Sequence, residues 1–138
     1  MLEFNLFLID YWYFSVPLFF FIFLFAYSEM NKGGKKIEPN ELTRLVNKES
    51  AILIDLRKKE DYENGHIMTA LNYPHQEFDN QMHELNKFKD RPIILVCDMG
   101  RNSANIGEKL KKAEFQETFR LNGGMMTWTQ DNLPVVQK

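Results

Sequence analysis

The chain has 138 residues, a formal net charge of -2, 26% charged and 14% aromatic residues, and one cysteine. That length suits a single domain of ordinary size. One cysteine excludes an internal disulfide and any multi-cysteine zinc or iron–sulfur cluster, and the near-neutral charge gives no electrostatic case for nucleic acid.

The averages conceal a division. Residues 1–30 carry no Lys or Arg yet hold 12 of the 19 aromatics, whereas 17 basic and 16 acidic residues follow. Tyr11 to Ser28 is an uncharged run of 18 residues. As a helix it reaches about 27 Å, close to the ~30 Å hydrocarbon thickness of a bilayer. Tyr11, Trp12, Tyr13 and Tyr27 sit near its ends, where amphipathic rings favour the interface. Pro17 is tolerated in a spanning helix. The basic n-region of a cleavable signal peptide is missing, and apolar residues cover every face rather than one stripe. Residues 1–30 therefore read as a single-pass transmembrane anchor. Glu3 and Asp10 precede the span and Lys32, Lys35 and Lys36 follow it, so the positive-inside rule places the rest of the chain on the cytoplasmic side. Residues 31–36, with Gly33-Gly34, read as a short, flexible basic tether.

Residues 37–138 alternate helix and strand. Pro39 suits a first helical turn, followed by Leu42, Leu45 and Val46 at helical spacing. Ala51-Ile-Leu-Ile54, ended by Asp55, and Ile93-Ile-Leu-Val96, ended by Cys97, are continuous apolar runs that predict strands buried on both faces. Between them Phe78, Met82, Leu85 and Phe88 predict a helix over 78–88, and Ala104, Ile106 and Leu110 another over 102–113. Thr118-Phe-Arg-Leu121 is a third strand, followed by Gly123-Gly124 and a short helix around Trp128. The alternation predicts an α/β domain with a central parallel sheet flanked by helices.

Cys97 falls where such sheets bind ligands, at the carboxyl end of the most apolar strand. The loop Asp98-Met-Gly-Arg-Asn-Ser103 then leads into a helix. Unpaired backbone N–H groups and the helix dipole favour negative charge there, so the spacing leaves two readings of Cys97: a stabilised, activated thiolate, or a buried, inert thiol. Gly100 permits a tight turn, Arg101 adds a cation, and Ser103 is placed to cap the helix or donate a hydrogen bond. Elsewhere, Asp55 and Arg57 suggest an ion pair at a strand end and His66 a packed, hydrogen-bonded residue. His75 and His83 suggest no metal site, and Met125-Met126 suggests core filler.

Cys97-x-x-Gly100-x-x-Ser103 after an apolar strand resembles the active-site loop of rhodanese-homology domains, the sulfurtransferase family. Asp55-Leu-Arg57 with Tyr62-x-x-Gly65-His66-Ile67-x-x-Ala70-x-Asn72 resembles the family's upstream signature. Leu121-x-Gly123-Gly124-x-x-x-Trp128 with Leu133-Pro134-Val135 resembles its C-terminal one. Together these blocks cover nearly all of residues 37–136. A single-span anchor ahead of one such domain is similar to the membrane-bound YibN-like members. The resemblance implies a single rhodanese-like domain and a sulfurtransferase or persulfide carrier. Cys97 would accept sulfane sulfur from a donor and pass it to a thiol acceptor. Asp98, Met99, Gly100, Arg101, Asn102 and Ser103 would form the substrate-binding loop, their backbone N–H groups cradling the persulfide. Neither a metal nor an organic cofactor is implied, and the anchor suggests a membrane-protein partner. Two departures bear on specificity. Many members carry an arginine five residues after the cysteine, where this chain has Asn102, with Arg101 one place earlier. Asp98 opposes a thiolate and repels a dianion such as thiosulfate, so weak thiosulfate activity is expected. An alternative is a catalytically quiet interaction module. The related cysteine phosphatases carry an arginine six residues on, where Ser103 stands.

Overall fold

Ile93-Ile-Leu-Val96 has no polar side chain, and it lies where none is tolerated. All four residues are at most 1% exposed, in the middle strand of a sheet covered on both faces. Burying each such side chain contributes about 1.5–3 kcal/mol. The computed structural model describes residues 1–30 and 33–137, with the side chains of Met30 and Arg101 outside that description.

The N-terminal unit consists of α1 (Leu2–Asp10) and α2 (Trp12–Met30). α2 covers the expected span from its second residue, Trp12, onward and carries Pro17 inside it. Its window Trp12–Glu29 is long and apolar enough to cross a membrane, and none of it is buried. α1 was not expected from the sequence.

The second unit holds β1 (Lys35–Ile37), α3 (Pro39–Lys48), β2 (Ile52–Asp55), α4 (Lys59–Asn64) and β3 (Leu71–Asn72). These are followed by α5 (Phe78–Gln81), a 3-10 stretch (Met82–Phe88), β4 (Ile93–Val96), α6 (Arg101–Lys112), β5 (Thr118–Leu121) and α7 (Gly124–Gln130). The five strands are parallel in the order β1-β5-β4-β2-β3. One face buries Leu42 and Leu45 of α3 and Met125 and Trp128 of α7 against Leu53, Ile94, Val96 and Leu121. The other buries Ile106 and Leu110 of α6 with Phe78 and Leu85 against Ile54, Ile93, Leu95 and Cys97. α6 owes its seat to one stripe: Ser103, Ile106, Gly107 and Leu110 are all buried, at the i, i+3, i+4, i+7 spacing of a helix face. Lys109, Lys111 and Lys112 in its last turn suit the dipole.

Three expectations need correction. The helix over 78–88 is one α-turn followed by 3-10 geometry. Met82, Leu85 and Phe88 are spaced by threes, which aligns side chains when the turn tightens to three residues. Met126 is exposed at 49%, so of the methionine pair Met125 alone fills core. The tether is not free over 33–36. Lys35–Ile37 pairs with Phe119–Leu121. Gly33 and Gly34 take φ of 80° and 106° and lie against the backbones of α6 and Thr118, where an added Cβ on either would overlap a carbonyl. The Gly33 N–H donates to Glu108 Oε1 at 2.9 Å. Asn31 and Lys32 of the expected tether, and Lys138, lie outside the described residues.

Candidate active site

The order of the strands places a topological switch point beside Cys97. From β2 the chain crosses to β3 on one side, and from β4 to β5 on the other. The connections therefore diverge between the carboxyl ends of β2 and β4, where ligands bind in open parallel sheets. Asp55 is in register with both Val96 and Asn72, so Asp55, Asn72 and Cys97 gather at one edge.

Cys97 is free and 2% exposed. The Gly100 N–H donates to its Sγ at 2.9 Å. Gly100 is the residue preceding α6 and has φ of 86°. That left-handed conformation favours glycine, and it folds the loop back until its own N–H meets the sulfur. The first N–H groups of α6 follow, in the turn where no intrahelical acceptor exists. Met99 and Asn102 are exposed, and so is Asp98, where water screens its charge. The side chain of Arg101 lies outside the described residues, and with it the expected cation. Ser103 does not cap the helix. It is 1% exposed, inside the first turn, and its Oγ donates to the Gly100 carbonyl at 2.9 Å, bracing the turn that carries the donor.

A second glycine pair holds the loop from the other side. Gly123 (φ 74°) and Gly124 (φ 59°) start α7. The Met125 and Met126 N–H groups donate to the Cys97 and Asp98 carbonyls at 2.7 and 3.0 Å. A Cβ on Gly124 would overlap the Cys97 oxygen and lie 2.8 Å from that of Asp98. Gly124 is thus a point of contact with the cysteine's own peptide.

At the end of β2, Asp55 (1% exposed) pairs with Arg57 at 2.9 Å, and Arg57 also donates to the Gly65 carbonyl at 2.6 Å. The Asn72 amide bridges the Asp55 and Arg57 carbonyls at 3.2 and 2.9 Å. These groups satisfy one another. His66 is buried and stacked on Tyr62, with its Nδ1 2.8 Å from the Tyr62 carbonyl, the packed role expected of it. The Tyr62 hydroxyl donates to the Ala70 carbonyl at 2.6 Å. Burial, then the Asp55 charge, push that phenol above its ordinary value. His75 sits 3.2 Å from the Leu56 carbonyl through Nδ1. Among the described residues no three His, Cys, Asp or Glu side chains gather as a metal site would require.

Sequence reasoning passed over Arg120. An arginine in a four-residue strand gives no signal beyond its charge, yet it is 5% exposed.

A sequence profile of the Rhodanese-like domain matches residues 38–131. The protein YibN of Escherichia coli K12 is 34% identical over 123 residues, 88% of this chain and 86% of YibN. The thiosulfate sulfurtransferase GlpE of Shewanella oneidensis is 28% identical over 98 residues, 71% of this chain and 95% of GlpE. The crystal structure of a rhodanese-related protein from Thermoplasma volcanium superposes with a TM-score of 0.68 at 22% identity, covering 75% of this chain and 99% of that one.

Proposed function

The chain belongs to the Rhodanese-like domain family, and from that premise we propose that it is a membrane-tethered sulfurtransferase in which Cys97 carries the sulfur. The observation that carries the reading is the Gly100 N–H donating to Cys97 Sγ at the start of α6, beside the switch point between β2 and β4. The thiolate attacks the outer sulfur of a donor R–S–SH. A new S–S bond forms on Cys97, the donor's S–S bond breaks, and the electron pair leaves as the thiolate R–S⁻. Thiosulfate would release sulfite in the same way. A thiol acceptor then attacks the terminal sulfur of the Cys97 persulfide and returns Cys97 to its thiolate. Neither step calls for a metal or an organic cofactor. Backbone N–H groups over Met99 to Ser103 are suited to hold the terminal sulfur anion, as preorganised dipoles do for developing charge. Asp98 stands beside the nucleophile, which disfavours thiosulfate against a less charged persulfide donor.

The full chain in detergent is expected to transfer sulfur from an organic persulfide about three- to sixfold faster than from thiosulfate, which is what one extra charge about 4–6 Å from Asp98 is worth in water, and Cys97→Ser is expected to transfer from neither. Thiosulfate turnover equal to that from the persulfide would contradict the role given to Asp98. Activity retained in Cys97→Ser would contradict the carrier.

α2 is the anchor in this reading, with the domain on the cytoplasmic side because Lys35 and Lys36 follow the span. The chain should stay in the membrane pellet through alkaline carbonate extraction; release into the supernatant contradicts anchoring. One observation favours a second reading, a quiet interaction module: Cys97 is 2% exposed, so the loop must open to admit a donor. Failure of Cys97 to accept sulfur from any of several donors would select it.

A further inference from the structure

Arg120 is a buried cation that the reaction described above does not use. It is 5% exposed, and among the described residues its one side-chain hydrogen bond runs from Nε to the Gly34 carbonyl at 3.2 Å. The ion pairs of the domain's described residues involve Arg44, Arg57, Lys59 and Lys109, so no carboxylate is paired with it there. A charge held this way costs the fold stability. Its position explains what it does in return. β5 and β4 pair Arg120 with Leu95. Paired residues of parallel strands share a face, and so do residues two apart on one strand, so Arg120, Leu95 and Cys97 all face α6. Strand spacing and rise put the Arg120 and Cys97 Cα atoms roughly 8 Å apart. Burial pulls the guanidinium below arginine's ordinary value, and the negative charge of a Cys97 thiolate opposes that pull.

We infer that Arg120 is a positioning residue for the nucleophile: its buried guanidinium holds Cys97, and the persulfide formed on it, as an anion, while the Gly34 carbonyl fixes where that charge sits. The inference rests on Cys97 being the nucleophile. Other charges nearby are committed elsewhere or face water. Asp55 and Arg57 pair with each other, Glu108 of α6 accepts the Gly33 N–H, and Lys109 pairs with Asp79. Asp98 on the loop and Lys35 and Lys36 on β1 are exposed, and α7 carries no charged residue. The Arg101 side chain lies outside the described residues. The segment that follows α2 thus contributes a backbone acceptor to the reactive centre.

The test is the rate of iodoacetamide alkylation against pH, on the full chain in detergent, for the natural sequence, Arg120→Met and Arg120→Lys. With one cysteine in the chain, alkylation reads Cys97 alone and needs no sulfur donor. Arg120→Met should alkylate about tenfold more slowly at pH 7, its profile displaced upward by about one pH unit. Arg120→Lys should keep most of the rate. The melting temperature of Arg120→Met should equal or exceed that of the natural chain, because an uncompensated charge has been replaced by an apolar chain of similar length. An unchanged profile in Arg120→Met overturns the inference. So does slow alkylation shared by both variants, or a lowered melting temperature in Arg120→Met, since either assigns Arg120 to packing. A natural chain that alkylates readily but accepts no sulfur contradicts the transferase reading and leaves this one standing.

Discussion

Gly124→Ala is expected to destabilise the domain by about 2–4 kcal/mol and to slow sulfur loading of Cys97 at least about tenfold. Two costs combine. Gly124 holds φ of 59°, a conformation that strains a residue with a Cβ. The added methyl would also overlap the Cys97 carbonyl oxygen and crowd that of Asp98. Those oxygens are backbone atoms and cannot rotate aside. Relief requires moving either α7 or the cysteine loop, and movement breaks the Met125 and Met126 hydrogen bonds to Cys97 and Asp98. For a domain of about 100 residues the melting temperature should fall by about 10 °C or more. Gly65→Ala is the control. Gly65 is extended, at φ of 162°, and an added Cβ would meet only Val135, at 3.5 Å, so its effect should stay within about 0.5 kcal/mol. Equal effects at both glycines would show that the contact with the loop is not what matters.

Asp55→Ala should cost about 3–5 kcal/mol, the usual consequence of removing one partner of a buried ion pair. Asp55 is 1% exposed and the Arg57 side chain 9%. The carboxylate accepts from the Arg57 backbone N–H at 2.9 Å as well as from its guanidinium. Without it Arg57 keeps its bond to Gly65 but loses its countercharge. The double variant Asp55→Ala with Arg57→Met should recover a large part of the loss in chemical denaturation, because it leaves no charge stranded. If the double variant is as unstable as Asp55→Ala, the cost lies in the turn at the end of β2 and not in the pair.

How much could be read in advance depended on how each residue announces itself. The strand at 93–96, and that at 52–55 read one residue early as 51–54, were legible because four consecutive apolar residues outlast the ambiguity of a single position, and the strand at 118–121 because Thr118, Phe119 and Leu121 flank its one arginine. β3 is two residues, Leu71–Asn72, too short to show any period. β1 begins with two exposed lysines and gains its place from backbone pairing with β5, which no side-chain pattern records. The cysteine loop was legible through type and spacing, since a thiol at a strand end followed by glycine and a helix has a recognisable use. Of the two roles open to Ser103, the structure shows the hydrogen bond and not the cap. Capping requires a position outside the helix, and the backbone begins the helix two residues before it. Arg120 was hidden for another reason. Alternation along a strand says which residues share a face, but only the register with β4 shows that its face is covered by α6 and leads to Cys97.

The central claim is that Cys97 takes up sulfane sulfur, and intact-mass spectrometry of the full chain tests it most directly. After incubation with an organic persulfide and removal of excess donor, the account predicts a single adduct of about 32 Da that maps to Cys97 and is lost on adding a thiol acceptor. It predicts no adduct on Cys97→Ser. An unmodified mass with every donor tried, in a chain whose Cys97 still alkylates, would contradict it.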